Sequence, residues 1–226
     1  MRNALLTACP LLVWVITAAE AVLLLLALRG WARKKQPLYL LTALVTLGLC
    51  YDALILSLGT VLPGGPLLAA LSRMRYVAHG ALIPLLFPIC AYALGLSKLW
   101  KKLVWVLTAV LIAAGIAEGF ATALELREVA GLVRYASGGA TPAWASAVSG
   151  VLSYGAVVPL ILAGIVVWIK QKTPLLFLSG FLMFAFSALG PATGNFDLIF
   201  FISMFGEVCM ALCFLLYAHK SGKTSS

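Results

Sequence analysis

Charged residues are scarce in this chain: 10% of its 226 residues are Asp, Glu, Lys or Arg, whereas 63% are hydrophobic. Soluble globular domains contain about one quarter charged residues and about one half hydrophobic residues. The scarcity therefore excludes a soluble globule. It indicates a polytopic membrane protein, which we expect to form a single domain over residues 1–226.

Side chains that hold metals and cofactors are also few. The chain has two histidines and five cysteines, and no two cysteines form a Cys-x-x-Cys pair. All five cysteines lie in or beside apolar runs, which is typical of small core residues rather than of disulfides or zinc ligands. No nucleotide-binding motif is present. We therefore expect no metal and no cofactor.

Basic residues outnumber acidic residues by 16 to 7, which gives a net charge of +9. The bases form short clusters between apolar runs, where the positive-inside rule accounts for them without a nucleic acid. We therefore expect membrane lipids as partners and no nucleic acid.

Seven apolar runs of about 20 residues are long enough to cross roughly 30 Å of hydrocarbon. They cover residues 10–29, 37–60, 74–96, 103–124, 146–169, 174–192 and 198–218. Most bases fall in every second connection and in the C-terminal tail. This alternation predicts an all-α fold of seven transmembrane helices, with the N-terminus outside and the C-terminus in the cytoplasm. As a separate expectation, we assign the chain to the bacterial inner membrane or an equivalent bilayer.

One connection, residues 125–145, is longer than the others and contains the run Ser137 to Pro142, which is rich in turn-forming residues. Long connections in compact proteins are often functional. We therefore predict an outer loop that could cover the mouth of a pocket.

Four of the seven acids lie inside apolar runs: Glu20, Asp52, Glu118 and Glu207. A charged side chain there costs several kcal/mol unless it pairs, takes up a proton or meets water, so each is a candidate functional residue. Small and hydroxyl residues share the helix faces of the acids; Ser203, for example, lies on the face of Glu207. Such faces are typical of contact between helices in a membrane.

The third run carries Arg75 and His79 one helical turn apart, and Pro84 is expected to kink the helix below them. A buried cation requires anionic partners. We therefore expect acids from separate helices to converge on Arg75 and His79 in one enclosed chamber, open to the outer side and closed below. The alternatives are that Arg75 extends to lipid headgroups, that His79 is a hydrogen-bonded structural residue, and that the acids only tie helices together.

Three aromatic residues, Phe177, Phe181 and Phe184, follow helical spacing along the sixth run. Such a stripe most often faces lipid or a neighbouring helix. The alternative is one wall of a site for an extended hydrophobic ligand, in which Phe181 would contact the substrate.

Tyr51-Asp52 in the second run and Glu207 in the last run resemble, by location, the acid pair of the small membrane-integrated terpene cyclases of meroterpenoid and indole-terpenoid pathways. Members of that family have a similar length and seven spans. This chain has Tyr-Asp where that family is expected to have Trp-Glu. The resemblance implies metal-independent acid catalysis on an isoprenoid.

Arg75-Tyr76, followed nine residues after the arginine by Pro84-Leu85-Leu86, is similar to the third helix of microbial rhodopsins. The last run contains no lysine: Glu207 stands about where the retinal lysine would be, and Ala78 where the counter-ion would be. This resemblance therefore implies the seven-helix arrangement without covalent retinal.

The leading hypothesis is an enzyme that starts the cyclisation or isomerisation of an isoprenoid or related lipid by protonation, with Asp52 as the proton donor and Glu207 as the second acid. Its partner would be a hydrophobic small molecule or lipid. A non-enzymatic ligand-binding, sensory or transport protein is the alternative, and a third hypothesis is that the charges only lock the bundle together. The residues predicted to bind substrate are Tyr51, Arg75, His79, Glu118, Glu20, Ser203 and Phe181.

Overall fold

The computed structural model describes residues 2–192 and 199–222, and this part of the chain is mostly helical. The elements in chain order are α1 (Arg2–Lys34), α2 (Pro37–Leu58), α3 (Pro66–Leu82), a 3₁₀ turn (Ile83–Leu85), α4 (Leu86–Ala93), α5 (Lys98–Ala121), β1 (Leu124–Val129), β2 (Leu132–Ser137), α6 (Ala143–Gln171), α7 (Leu175–Ala192) and α8 (Ile199–Ser221).

A helix occupies each of the seven predicted apolar runs. Six helical stretches of the described residues are long and apolar enough to cross a membrane, and the stretch Leu175–Leu189 of α7 is apolar but shorter. The prediction of a helical, multi-pass membrane protein agrees with these lengths. The count of seven crossings and the orientation of the termini stay predictions.

The helix that contains the third apolar run begins at Pro66, before the run itself starts at residue 74. A proline in the first turn suits a helix start, because its missing N–H would have no partner there in any case. The helix then breaks at Ile83–Leu85, where Pro84 lies in a 3₁₀ turn. This break is the expected kink, because proline cannot donate the next helical hydrogen bond.

The connection between α5 and α6 contains an antiparallel β-hairpin, so the expectation of an all-α chain was incomplete. Leu124 pairs with Ser137 and Val129 with Leu132. The turn is formed by Ala130 and Gly131, both with positive φ (57° and 71°), as tight two-residue hairpins require. The hairpin, rather than an irregular loop, covers one end of the helices.

Helices α3 and α5 approach each other through glycines. A Cβ on Gly80 would lie 2.3 Å from the Gly115 carbonyl oxygen, and a Cβ on Gly115 would lie 2.2 Å from that of Gly80. One turn further along α5, a Cβ on Gly119 would lie 2.6 Å from the Val77 nitrogen. Small residues permit such backbone contact in membranes. The contact brings Glu118 towards the face of α3 that carries Arg75.

Two apolar clusters fill the bundle at different levels. One includes Val13, Leu56 and Phe201 near the hairpin; the other includes Leu23 and Met210 further from it. The acids lie between the two clusters. In α1, Glu20 follows the residues of the cluster near the hairpin and precedes those of the other cluster, and Glu207 has the same position in α8. A polar layer therefore separates two apolar layers.

Candidate functional site

A cavity of about 190 Å³ lies in this polar layer, below the hairpin. We call it the polar chamber. Its walls come from α2, α3, α5, α6, α8 and strand β2. The lining residues are Asp52, Leu56, Arg75, Tyr76, His79, Glu118, Arg134, Ser149, Phe200, Ser203 and Glu207. Acids from three separate helices thus meet Arg75 and His79 in one cavity.

Arg75 is held inside the bundle. Its Nε lies 3.5 Å from Oδ1 of Asp52, its Nη2 donates to the Tyr135 carbonyl at 3.4 Å, and its guanidinium carbon lies 5.1 Å from the centre of the Tyr76 ring. Only 8% of the residue is exposed. Arg75 therefore joins α2, α3 and the hairpin, and it does not extend to lipid headgroups.

Arg73, two residues earlier, binds the C-terminal end of α5. Its Nη1 donates to the carbonyls of Gly119 and Phe120, each at 3.1 Å, and to that of Thr122. These carbonyls belong to the C-terminal end of α5, where a cation satisfies unpaired acceptors and interacts favourably with the helix dipole. Arg73 fixes the end of α5 that carries Glu118.

Glu118 is 5% exposed and is hydrogen-bonded. The Thr122 hydroxyl donates to its Oε1 at 3.0 Å. Ser149 of α6 lines the polar chamber together with Glu118 of α5.

Glu207 and Glu20 are buried, but each has a carboxyl oxygen without a hydrogen-bond partner among the described residues. Oε2 of Glu207 and both carboxyl oxygens of Glu20 have no hydrogen-bond partner among the described residues. Glu20 is fully buried, does not line the polar chamber, and interacts electrostatically with Glu207 and Asp52. Glu20 therefore lies close to the polar chamber but is not one of its lining residues.

A second cavity of about 260 Å³ adjoins the polar chamber, and we call it the apolar pocket. Both cavities are lined by His79, Ser203 and Glu207, which therefore mark their junction. The other lining residues of the apolar pocket are Leu49, Ile83, Leu86, Ser153, Tyr154, Val157, Met183, Phe184, Ser187, Ile199 and Met210. Taken together, the two spaces reach the size range of small-molecule sites.

The edge of the apolar pocket lies on the outer surface of the bundle. Tyr154 of α6 is 69% exposed and Phe184 of α7 is 46% exposed, although both line the pocket. His79 is also exposed, and no residue of the described ranges hydrogen-bonds to it. The alternative of a hydrogen-bonded structural histidine therefore has no support among the described residues.

Two backbone N–H groups of the hairpin hold it over the polar chamber by hydrogen bonds. The Val133 N–H donates to the Gly59 carbonyl at 2.9 Å, and the Ser137 N–H donates to the Tyr76 hydroxyl at 2.8 Å. Leu132 is fully buried in the apolar cluster on that side. The 125–145 connection thus covers the chamber, as the sequence suggested it could.

Arg134 of β2 is a chamber residue that sequence reasoning missed. Its guanidinium carbon lies 4.0 Å from the centre of the Phe200 ring, and its buried Nε has no hydrogen-bond partner in the described part of the chain. Burial, together with the positive charge of Arg75, lowers the pKa of Arg134 to about 10. The side chain remains charged at neutral pH, and its charge is incompletely balanced.

Three residues expected to bind substrate line neither cavity: Glu20, described above, Tyr51 and Phe181. The Tyr51 hydroxyl donates to the Leu71 carbonyl at 3.1 Å and so links α2 to α3. Phe181 is 45% exposed, and its ring stacks on Phe177 with centroids 5.4 Å apart. The aromatic stripe lies mainly on the outer face of α7, and Phe184 is its member that reaches the apolar pocket.

Metal-binding groups are not found in the described part: residues 2–192 and 199–222 contain no group of three or more His, Cys, Asp or Glu side chains arranged to hold an ion. No family model matches the chain, and no curated protein matches it.

Proposed function

We propose that this protein is a membrane-embedded enzyme that protonates an isoprenoid or related lipid and so starts its cyclisation or isomerisation. The observation that carries this proposal is the position of Glu207, a buried acid at the junction of a polar chamber and an apolar pocket. An alkene or epoxide group of a ligand in the apolar pocket would meet the carboxyl group there.

We assign Asp52 and Glu207 the opposite roles to those that were predicted from the sequence. Asp52 forms an ion pair with Arg75, and a carboxylate in an ion pair has no proton to give. Glu207 has an unpartnered buried oxygen, and burial of an unpaired charge is costly, so the protonated form suits this position. Glu207 would donate the proton, and the Asp52 carboxylate would stabilise the positive charge that develops.

The reaction is balanced without a further reactant. The proton of Glu207 adds to an alkene carbon or to an epoxide oxygen, and the π bond or a C–O bond breaks to leave a carbocation. Ring closure or migration moves the positive charge along the ligand. Loss of a proton from carbon to the Glu207 carboxylate restores the acid, so the product is an isomer of the substrate.

The polar end of the ligand would lie in the polar chamber. Arg134 offers an incompletely balanced positive charge and an unpartnered Nε there, and Ser149 offers a hydroxyl. The hydrocarbon tail would lie against Met183, Phe184 and Met210. The hairpin covers the chamber, and exclusion of water protects a carbocation from capture.

The test uses the full chain in nanodiscs prepared in D₂O, with farnesyl and geranylgeranyl compounds whose alkenes are intact, because a deuteron added to an alkene carbon is retained in the product and does not exchange with water. Conversion to an isomer that contains deuterium supports the proposal. Glu207→Gln should lower the rate at least about 100-fold, as expected for loss of a general acid, while probe binding is retained. Asp52→Asn should slow the reaction but leave deuterium uptake in the product.

Glu125→Gln is the matched control, because Glu125 is an exposed acid of the hairpin. It should react like the parent. Recovery of every probe unchanged from correctly inserted parent protein contradicts catalysis, and equal rates for Glu207→Gln and the parent contradict the role of Glu207.

A proton-conducting or signalling protein is the second candidate, and the row of interacting acids Glu20, Glu207 and Asp52 favours it. The larger apolar cluster fills the bundle on the other side of this row, however, which opposes a continuous polar path. A pH-sensitive dye trapped in liposomes discriminates between the two. Proton flux that is lost in Glu20→Gln supports conduction, and no flux above empty liposomes excludes it.

A further inference from the structure

A cavity of about 380 Å³ lies between α1 and α8 at the opposite end of the bundle from the hairpin. We call it the basic groove. Arg29, Arg33 and Lys34 of α1 line it together with Tyr39 of α2 and His219 of α8. Its apolar floor is formed by Leu26, Leu215 and Leu216. The groove shares no lining residue with the polar chamber or the apolar pocket.

Tyr39 is fixed in the wall of the groove by a close contact. A Cβ on Gly30 would lie 2.2 Å from Cε1 of the Tyr39 ring, so the ring packs directly on the glycine. Tyr39 is 3% exposed, and its hydroxyl lies 3.3 Å from Nδ1 of His219. The contact joins α2 to α8 and places a hydroxyl and an imidazole beside the three cations.

The positive charges of the groove have no carboxylate partner among the described residues, and Lys34 Nζ lies 5.8 Å from the centre of the Tyr39 ring. Arg29 and Arg33 are one helical turn apart and share a face of α1. No carboxylate of the described residues forms an ion pair with Arg29, Arg33 or Lys34, and no acid lines the groove. Three cations within one cavity repel one another, and an anion between them would lower that repulsion.

The exposed leucines of the groove indicate what kind of molecule carries that anion. Leu26 and Leu216 are each 45% exposed beside the charged residues, on helices apolar enough to cross a membrane. A soluble anion gains nothing from exposed leucines, whereas acyl chains below a phosphate would cover them. Basic pockets between helices at a membrane surface are known to bind anionic headgroups.

We infer that the basic groove binds an anionic phospholipid, with its phosphate among Arg29, Arg33 and Lys34 and its acyl chains along the leucines. The Tyr39 hydroxyl and His219 lie beside the phosphate position and supply further hydrogen-bonding groups. This inference is independent of the proposed reaction, because the groove and the two cavities near the hairpin share no residue.

The experiment is native mass spectrometry of the full chain in detergent, titrated with palmitoyl-oleoyl phosphatidylglycerol or with palmitoyl-oleoyl phosphatidylcholine. The variant Arg29→Gln/Arg33→Gln/Lys34→Gln removes the three charges. Each basic residue near an anionic lipid is worth about fivefold in affinity, so this variant should bind phosphatidylglycerol about 100-fold more weakly than the parent. Phosphatidylcholine should bind weakly to both proteins.

Lys98→Gln/Lys101→Gln/Lys102→Gln is the matched control, because it removes three bases from the start of α5 and leaves the groove intact. It should bind phosphatidylglycerol like the parent. The single variant Arg33→Gln, at an exposed position, should weaken binding about fivefold and serves as a second measurement if the triple variant folds poorly. Equal losses in the triple variant and the control overturn the inference.

Gly30→Ala and inorganic phosphate complete the test. Gly30→Ala should displace the Tyr39 ring and weaken binding while it leaves every charge in place. Inorganic phosphate at millimolar concentration should not displace the lipid, since it cannot cover the leucines. Full displacement by phosphate would identify a soluble-anion site and would overturn the assignment to a lipid.

Discussion

The ion pair between Asp52 and Arg75 joins α2 to α3 in the layer that separates the two apolar clusters. Asp52→Asn would leave the Arg75 guanidinium, which is 8% exposed, without its counter-ion. Removal of one member of a buried pair costs about 3–5 kcal/mol. We expect the free energy of unfolding to fall by about 3 kcal/mol, the low end of this range, because the Asp52 side chain is 19% exposed.

Unfolding in mixed micelles of increasing SDS content measures this free energy of unfolding. Glu125→Gln is again the control: its ion pair with Arg127 has both side chains about half exposed and should contribute at most about 1 kcal/mol. Similar losses in the two variants would show that the Asp52–Arg75 pair does not stabilise the bundle.

Glu20 allows a test of whether the buried acids hold the helices together. Because neither of its carboxyl oxygens has a partner among the described residues, Glu20→Leu should raise the free energy of unfolding by about 1–2 kcal/mol. Glu118→Leu should lower it by about 1 kcal/mol, since the Thr122 hydroxyl would lose its carboxyl partner. A large loss of stability in Glu20→Leu would instead favour a structural tie.

At the scale of elements, the glycine contact between α3 and α5 sets how closely these two walls of the polar chamber approach each other. Gly115→Ala would place a methyl group 2.2 Å from the Gly80 carbonyl oxygen, and the two helices would have to separate. We expect a loss of about 2 kcal/mol in the free energy of unfolding, as in overpacked cores.

Gly150→Ala in α6 is the matched control, because a Cβ there meets nothing within 4 Å. It should be neutral or slightly stabilising, since alanine favours a helix more than glycine does. If both variants unfold alike, the close contact of α3 and α5 does not contribute to stability.

The helical elements and most of the chamber could be predicted from the sequence, and the hairpin could not. Helical spacing placed Arg75 and His79 on one face, and the cost of buried charge required an acid beside Arg75. Arg134 has no such periodic signal, because it lies in a short strand after an Ala130-Gly131 turn that differs from the usual Asn-Gly or Asp-Gly pattern. Phe181, which is 45% exposed, follows the more frequent pattern, in which an aromatic stripe faces lipid or a neighbouring helix, rather than the alternative of a pocket wall.

At the scale of the whole molecule, the hairpin and the basic groove lie at opposite ends of the helices. The single substitutions Gly139→Cys, beside the hairpin, and Ser97→Cys, at the N-cap of α5, test the predicted orientation. A Cβ on Gly139 would meet nothing within 4 Å, and Ser97 is exposed and makes no side-chain cap hydrogen bond. In inverted and right-side-out vesicles, a membrane-impermeant maleimide should label the two positions from opposite sides. Labelling of both positions from one side would contradict the predicted arrangement of spans.

The exposed edge of the apolar pocket at Tyr154 and Phe184 has a kinetic consequence. With the hairpin fastened over the chamber, a guest molecule would arrive sideways through the gap bordered by α6 and α7, after first dissolving in the bilayer. Occupancy would then follow the guest's mole fraction among the surrounding lipids rather than its concentration in water. Diluting the vesicles with buffer would leave turnover per protein unchanged, whereas diluting the guest with inert lipid would slow it.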